Sequence, residues 1–487
     1  MIKVSKKDEV HIIIDTDPSI AQEICDFFTF DVPGARFMPL YKKKVWDGKA
    51  RLFSIYNREL YIGLLPYLKE FAETLEYEME VDMPDISEQI DIERFTKELR
   101  LQSNEKDIEI REYQKEAITQ AITAGRTLLL SPTASGKSLI VYSLIRYHQL
   151  KGRKQLIIVP TTSLVEQMYG DFADYSSKNG WKVSENCHRI YGGKEKHNEA
   201  PITISTWQSI YKYPKSWFEQ FDVFYGDEAH LFKAKSLTTL MNKCVNTPYR
   251  IGTTGTLDGT KTHRLVLEGV FGQVHKVTTT KKLMDAGQVA NLKIICCMLN
   301  YGDIDRKLLK GMSYQEEIDW IVTNPRRNKI IQNLTMAQEG NTLVLFQFVE
   351  KHGKIIYEML KEVCKDRKVF FVFGGTDTDT REEIRALTEL EKDAIIVASY
   401  GTFSTGINIR NLHNIVFASP SKSRIRNLQS IGRGLRKGDT KTTCNLFDIG
   451  DDLSWKDKKN YTLNHLMERI KIYNEEQFNY KLVKIDV

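Results

Sequence analysis

The chain has 487 residues, 41% of them hydrophobic and 28% charged, with a formal net charge of +6. That mix permits sizeable cores in about three domains of roughly 150 residues each, and no apolar run nears the roughly 18 residues that a membrane span requires. Mild basicity suits a polyanionic partner without demanding one, and seven cysteines with no C-x-x-C pair exclude a zinc site or disulfide framework and predict reduced thiols.

Residues 1–65 read as a small basic, β-leaning domain. From Phe37 to Ile62 apolar and basic residues alternate around Asp47-Gly48, a turn signal that predicts a hairpin. Between positions 36 and 58 stand seven cations, among them Lys42, Lys43, Lys44, Lys49 and Arg51, against one acid, Asp47. Tyr41, Trp46, Phe53 and Tyr56 interleave with them. A basic hairpin with aromatics can follow phosphates and stack on bases. The alternative is edge-strand charge over core aromatics. Residues 66–108 turn acidic, from Glu73 through Asp82 to Glu93, and read as a solvated helical connector.

Strand candidates then alternate with helical patterns. In residues 109–278 they are Thr127–Leu130, Leu156–Val159, Ile202–Ser205 and Val223–Tyr225. In residues 279–450 a second series follows: Thr342–Phe346, Val369–Phe373, Ala394–Ala398 and Asn414–Ala418. Each series predicts a parallel α/β sheet. Residues 451–487 read as an extension of one amphipathic helix and one strand. Met1–Ser5 opens no secretory signal, so the expected location is the cytoplasm.

The first strand runs into Ser131-Pro132-Thr133-Ala134-Ser135-Gly136-Lys137-Ser138 and then a helical run. Small side chains let backbone N–H groups wrap a phosphate, and a helix N-terminus adds its dipole. Lys137 is suited to the β/γ-phosphates of ATP and the Ser138 hydroxyl to Mg²⁺. Ser131 stands where the pattern usually has glycine. Asp227-Glu228-Ala229-His230 follows Val223-Phe224-Tyr225. A carboxylate ending a buried strand can hold Mg²⁺, and the next can position the attacking water. Alone, such a pair is more often a helix cap. Gln429–Arg436 places Arg433 and Arg436 three apart, expected on one helical face, where they could stabilise phosphoryl charge.

In this order the motifs resemble those of superfamily 2 helicases over residues 108–450. The resemblance implies adenine reading by Arg111 and Gln114, and ATP contacts from the Ser131–Ser138 loop, Gly406, Arg433 and Arg436. It implies nucleic-acid contacts at Pro160 and Thr161, at Thr206, Trp207 and Gln208, at Phe348, and at Thr402, Ser404 and Thr405. His230, Thr254 and Thr256 would couple nucleotide state to those loops. More narrowly, Thr206-Trp207-Gln208, Leu283–Val289, Ser313–Ile318, Val397–Gly401 and Glu476–Tyr480 resemble phage UvsW-type recombination and repair helicases.

The fold expected is α/β: two tandem RecA-like parallel-sheet lobes, a small basic N-terminal α+β domain and a short C-terminal helix-strand extension. The resemblance implies an ATP- and Mg²⁺-dependent monomer that unwinds and branch-migrates forked or four-way DNA, moving 3′ to 5′. Three alternatives stay open: a double-strand translocase, an RNA helicase, and a junction-binding scaffold without turnover.

Overall fold

The computed structural model describes residues 1–192, 199–406, 409, 411–436 and 441–487, with backbone alone for Lys233, Lys235, Thr378 and 404–406. Two compact units result. The first comprises Met1–Ser131 and Gly136–Val277; the second comprises Thr278–Val487, with which Pro132–Ser135 groups.

The N-terminal fold is a five-stranded sheet in the order Phe53–Ser54, Glu59–Tyr61, His11–Asp15, Ile2–Lys6, Met79–Asp82. Its last pair is parallel and the others antiparallel. Strict alternation drives it: Ile2 and Val4 point inward while Lys3 and Ser5 face water. Ile2, Ile12, Ile14 and Leu60 are fully buried with Leu68 of the Leu65–Thr74 helix. Each such side chain contributes roughly 1.5–3 kcal/mol.

Two expectations for this region need correction. The hairpin around Asp47-Gly48 does not form. Pro39 starts a short helix, Pro39–Lys42, because its fixed φ suits a first helical position and it has no N–H for a ladder. The Lys49–Arg51 strand pairs instead with Thr29–Asp31. The acidic segment is not a plain helical connector either. It supplies the Met79–Asp82 strand, then the Ile92–Glu98 helix and the small Gln102–Ser103/Lys106–Asp107 hairpin. Nor is Glu88 simply solvated. It accepts from Tyr147 Oη at 2.6 Å and Tyr249 Oη at 2.7 Å, and pairs with Arg153.

The N-terminal fold seats closely on the Lys261–Phe271 helix. A Cβ on Gly63 would lie 2.0 Å from the Glu268 carbonyl oxygen. Tyr67 Oη donates to the buried Glu268 carboxylate at 2.5 Å. Arg126, entering the first strand of the lobe, pairs with Glu9 at 2.6 Å.

The first lobe is a seven-stranded parallel sheet ordered Cys187–Ile190, Ile202–Thr206, Gln155–Val159, Val223–Asp227, Tyr249–Thr254, Arg126–Leu130, Val274–Lys276. Every residue of Gln155–Val159 is buried, as expected for a strand covered by helices on both faces. The second lobe repeats the architecture: Val369–Val372, Ile395–Ser399, Thr342–Phe346, Asn414–Phe417, Thr443–Asp452, Asn291–Asn300, Tyr480–Asp486. The expected C-terminal helix and strand form as Tyr461–Glu475 and Tyr480–Asp486, and the strand joins this lobe's sheet beside Asn291–Asn300. Asp448 and Asp451 lie fully buried on the Thr443–Asp452 strand. Arg469 and Tyr473 of the Tyr461–Glu475 helix hydrogen-bond Asp448, at 2.9 and 2.7 Å. Arg327 and Tyr301 hold Asp451, at 2.7 and 2.9 Å.

Burial opposes ionisation of Glu88, but hydrogen bonds from Arg153, Tyr147 and Tyr249 outweigh it and hold the carboxyl at about 2. A depressed folded-state value stabilises fully above the unfolded pKa of about 4.3 and less as pH falls toward the folded value. Glu88→Gln is expected to lower unfolding free energy by about 1–3 kcal/mol at pH 7. In urea titrations the gap from wild type should close between about pH 5 and about pH 2.

Candidate functional site

The phosphate loop begins where the Arg126–Leu130 strand ends. Ser131 is buried, and its N–H donates to the Thr254 carbonyl at 2.8 Å. Here serine fills the position where the loop pattern has glycine, and φ is not positive. Ser135 Oγ donates to the Pro132 carbonyl at 2.6 Å and folds the loop on itself. Ala134 and Gly136 take left-handed φ of 66° and 82°. Such turns help aim successive N–H groups into an anion-binding concavity. Position 136 favours glycine by its φ, and a Cβ there would also displace the Gln114 amide, whose Nε2 would lie 2.3 Å away. The Lys137–Leu150 helix starts next, and a helix N-terminus offers N–H donors and a favourable dipole to phosphate. Ser138 Oγ lies 2.9 Å from Tyr175 Oη.

Gln114 is buried against the loop, and its Oε1 accepts from the Arg111 N–H at 2.9 Å. Arg111 caps the Glu112–Ala124 helix, and its Nη1 donates to Tyr113 Oη at 2.9 Å.

Register brings Asp227 to the same sheet end. It pairs with Thr253, whose Oγ1 donates to Asp227 Oδ1 at 2.8 Å. Burial and the Glu228 charge raise the Asp227 pKa, while the Lys137 charge and the Thr253 hydrogen bond oppose them. Lys137 and Asp227 are thus electrostatic neighbours although 90 positions separate them. Glu228 takes φ 49°, a left-handed conformation that costs a non-glycine residue about 1–2 kcal/mol. His230 Nδ1 lies 3.3 Å from Glu228 Oε2 and 3.0 Å from Thr254 Oγ1. Thr254 Oγ1 donates to the Thr256 carbonyl at 3.0 Å. His230, Thr254 and Thr256 therefore form one buried chain from the Glu228 carboxylate.

In the second lobe, Arg433 lies on the Arg424–Gly434 helix, with its guanidinium 5.5 Å from the Phe403 ring centroid. Arg436 does not share that helix. The helix ends at Gly434, and Arg436 lies past the Leu435 cap. Thr402, expected as a nucleic-acid contact, is buried in the first turn of the Tyr400–Gly406 helix, where its N–H donates to Ser399 Oγ at 3.3 Å and its hydroxyl lies 2.8 Å from the same oxygen. The side chains of Ser404 and Thr405, the site at Gly406, and Ile407 and Asn408 of the same motif lie outside the described residues.

The other nucleic-acid candidates divide by exposure. Thr161 caps the Thr162–Tyr175 helix by accepting from the Leu164 N–H, and Pro160 is half-buried beside it. Thr206 is buried, with Oγ1 2.8 Å from Ser209 Oγ. Gln208 is exposed, while Trp207 and Phe348 are half-buried. Lys42, Lys43, Lys44 and Lys49 are exposed. Arg51 is held by Asp47 at 2.5 Å, and Trp46 Nε1 donates to the Lys49 carbonyl at 2.8 Å. Arg36, Tyr41, Lys42, Lys44, Trp46 and Arg51 help line an open concavity of about 820 Å³.

Sequence reading missed Thr253, Tyr175 and His263. Thr253 was findable, because Tyr249–Thr254 is a β-prone run one step before the Thr254-Gly255-Thr256 motif. Nothing in the sequence marks Tyr175 as the partner of Ser138.

Three family models match the chain: "DNA helicase UvsW, N-terminal" over residues 1–82, "Type III restriction enzyme, res subunit" over 107–259, and "Helicase conserved C-terminal domain" over 325–438. The ATP-dependent DNA helicase uvsW of Enterobacteria phage T4 is 39% identical, with 100% of both chains covered. The crystal structure of T4 UvsW covers 100% of this chain and 99% of its own, at 37% identity and a TM-score of 0.53. The DNA 3'-5' translocase XPB2 of Sulfurisphaera tokodaii is 24% identical over 68% of this chain and 80% of that protein. Full-length identity of this order, together with the phosphate loop, the Asp227–Glu228 pair and the twin parallel sheets, makes the chain a member of the UvsW family of superfamily 2 DNA helicases.

Proposed function

We propose that this ATP-dependent DNA helicase unwinds and branch-migrates forked or four-way DNA, with ATP hydrolysed at the Ser131–Ser138 loop. The observation that carries the assignment of the ATP site is the meeting of Lys137, Asp227 and Thr253 at the carboxyl ends of adjacent parallel strands, beside a loop whose residue 136 takes a left-handed φ of 82°. Lys137 neutralises β/γ-phosphate charge, and the first turn of its helix supplies N–H donors. Gln114, fixed by Arg111, reads the base. Glu228 orients the attacking water, and Arg433 and Arg436 stabilise phosphoryl charge.

Among the described residues no group of three or more His, Cys, Asp or Glu side chains could hold a metal ion alone. A hydroxyl at Ser138 and a buried carboxylate at Asp227 nevertheless suit a hard cation that draws its other oxygens from nucleotide and water. Mg²⁺, when bound there, supplies charge neutralisation at the phosphates. Asp227 supports this fit, because burial and its neighbour Glu228 make its charge costly without a nearby cation.

The exposed Lys42–Lys44 and Lys49 patch is assigned to DNA backbone contact and to preference for branched substrates. Pro160, Thr161, Thr206, Trp207, Gln208 and Phe348 are assigned to the strand path through main-chain and ring contacts. The Thr161 hydroxyl already serves as a helix cap, and the Thr206 hydroxyl is engaged with Ser209 Oγ. His230, Thr254 and Thr256 are assigned the coupling of nucleotide state to DNA grip. Among the described residues no helix is long and apolar enough to cross a membrane. A monomer in the cytoplasm, the host's if phage-encoded, is the proposed working form.

Lys137→Ala and Glu228→Gln should each lower DNA-stimulated ATP turnover by about 100-fold or more, read in a steady-state assay with forked DNA. Wild-type turnover should rise more with forked or four-way DNA than with linear duplex, single strands or RNA. Equal stimulation by plain duplex would favour a double-strand translocase instead. Replacing Lys42, Lys43, Lys44 and Lys49 with glutamine should weaken fork binding, and each lost phosphate contact should reduce the log–log salt slope by about 0.7–0.9. An unchanged slope in fluorescence-anisotropy titrations would remove the patch from the DNA path.

A further inference from the structure

The proposed water-positioning carboxylate sits on a strained turn, and the motifs do not account for what holds that turn. Glu228 has φ 49°, a conformation that persists only where its surroundings over-determine it. Part of the restraint is local: the Leu231 N–H donates to the Glu228 carbonyl at 3.0 Å, and His230 Nδ1 meets Thr254 Oγ1. The remainder comes from elsewhere in the chain. The His230 main-chain oxygen lies 3.1 Å from His263 Nε2. His263 is buried, on the first turn of the Lys261–Phe271 helix.

His263 is itself tightly placed. Its main-chain N–H donates to Thr260 Oγ1 at 3.2 Å, the helix N-cap. Asp258 Oδ1 accepts from the Thr260 N–H at 2.9 Å and from Thr260 Oγ1 at 2.8 Å. The same Oδ1 lies 2.9 Å from His263 Nδ1, and the Asp258 N–H is 3.2 Å from that nitrogen. Asp258 and Thr260 thus fix the position of the ring, and because a carbonyl oxygen can only accept, the contact with His230 requires the proton on Nε2. From its other end the same helix meets the N-terminal fold through Glu268, with Gly63 against its carbonyl and Tyr67 on its carboxylate. A side chain outside the nucleotide motifs therefore ties the Glu228 turn to a helix on which the N-terminal fold is seated.

We propose that His263 is a positioning residue for ATP hydrolysis: its Nε2–H holds the Glu228–His230 turn so that Glu228 faces the attacking water. The proposal rests on the ATPase role of Glu228 given above. A positioning defect should fall on turnover and not on nucleotide affinity. A glutamine amide can reach the same carbonyl and donate to it, whereas alanine cannot.

The test uses the full chain with forked DNA and measures kcat and KM for ATP for wild type, Glu228→Gln, His263→Ala and His263→Gln, with thermal unfolding as the folding control. His263→Ala should lose about 10-fold or more in kcat with KM for ATP within about twofold, and His263→Gln should return to within about threefold of wild type. Fork affinity by anisotropy should stay within about twofold for both. Glu228→Gln inactive with His263→Ala at wild-type kcat would overturn the positioning role alone. Glu228→Gln at wild-type kcat would overturn the Glu228 assignment beneath it. If His263→Ala does not fold, His263→Gln decides: near-wild-type kcat supports the proposal, and a folded but equally slow His263→Gln overturns it.

Discussion

A parallel sheet brings the carboxyl ends of all its strands to one edge, and in the first lobe the chemistry depends on that edge. Arg126–Leu130, Tyr249–Thr254 and Val223–Asp227 are neighbours in register. The loop after the first, the threonines ending the second and the acids ending the third therefore open on the same side. Strands with both faces under helices, such as Gln155–Val159, favour apolar side chains along their length and leave the strand ends for most charged groups. Ligand crevices in open α/β sheets lie outside these strand ends for the same reason. A one-residue slip between Asp227 and Thr253 would separate the carboxylate from its hydroxyl donor and turn it to the opposite face.

Close packing around this edge restricts side-chain choice more than chemistry does. Gln114 packs beside Gly136, where the chain takes a left-handed φ of 82°, and its own amide is held by the Arg111 N–H. Thr254 takes the Ser131 N–H on its carbonyl and meets His230 through its hydroxyl. Loop, acid turn and the following threonines thus share donors and acceptors, and movement at one is felt at the others. The seat of the N-terminal fold on Glu268 is comparably tight, while its basic helix and turn face water. The rigid part of that fold carries position, and the exposed part carries charge.

The second lobe relies on buried charge. Asp448 and Asp451 sit fully buried on one strand, each satisfied by an arginine and a tyrosine from other elements. Removing one partner of such a pair costs about 3–5 kcal/mol, whereas the pair as a whole adds little over apolar packing. Its contribution is to specify position. Arg469 and Tyr473 admit the C-terminal helix at one place only, and the Tyr480–Asp486 strand follows into the sheet edge.

The sequence by itself determined the alternation of strands and helices, the phosphate loop, the Asp227–Glu228 pair and the basic character of residues 36–58, because each is a local pattern of polarity and size. It also carried the family, through motifs in order. It misread Asp47-Gly48, because turn chemistry there was overridden by Pro39 upstream and by a strand partner at Thr29–Asp31. It placed Arg433 and Arg436 on one face, but the helix ends between them. Only the tertiary structure decided that Met79–Asp82 and Tyr480–Asp486 complete sheets begun far away in the chain, that Thr402 and Thr206 are buried with their hydroxyls against neighbouring serines, and that Thr253 and His263 attend the acid turn. These are contacts between segments distant in sequence, set by register and packing, and local spacing holds no record of them.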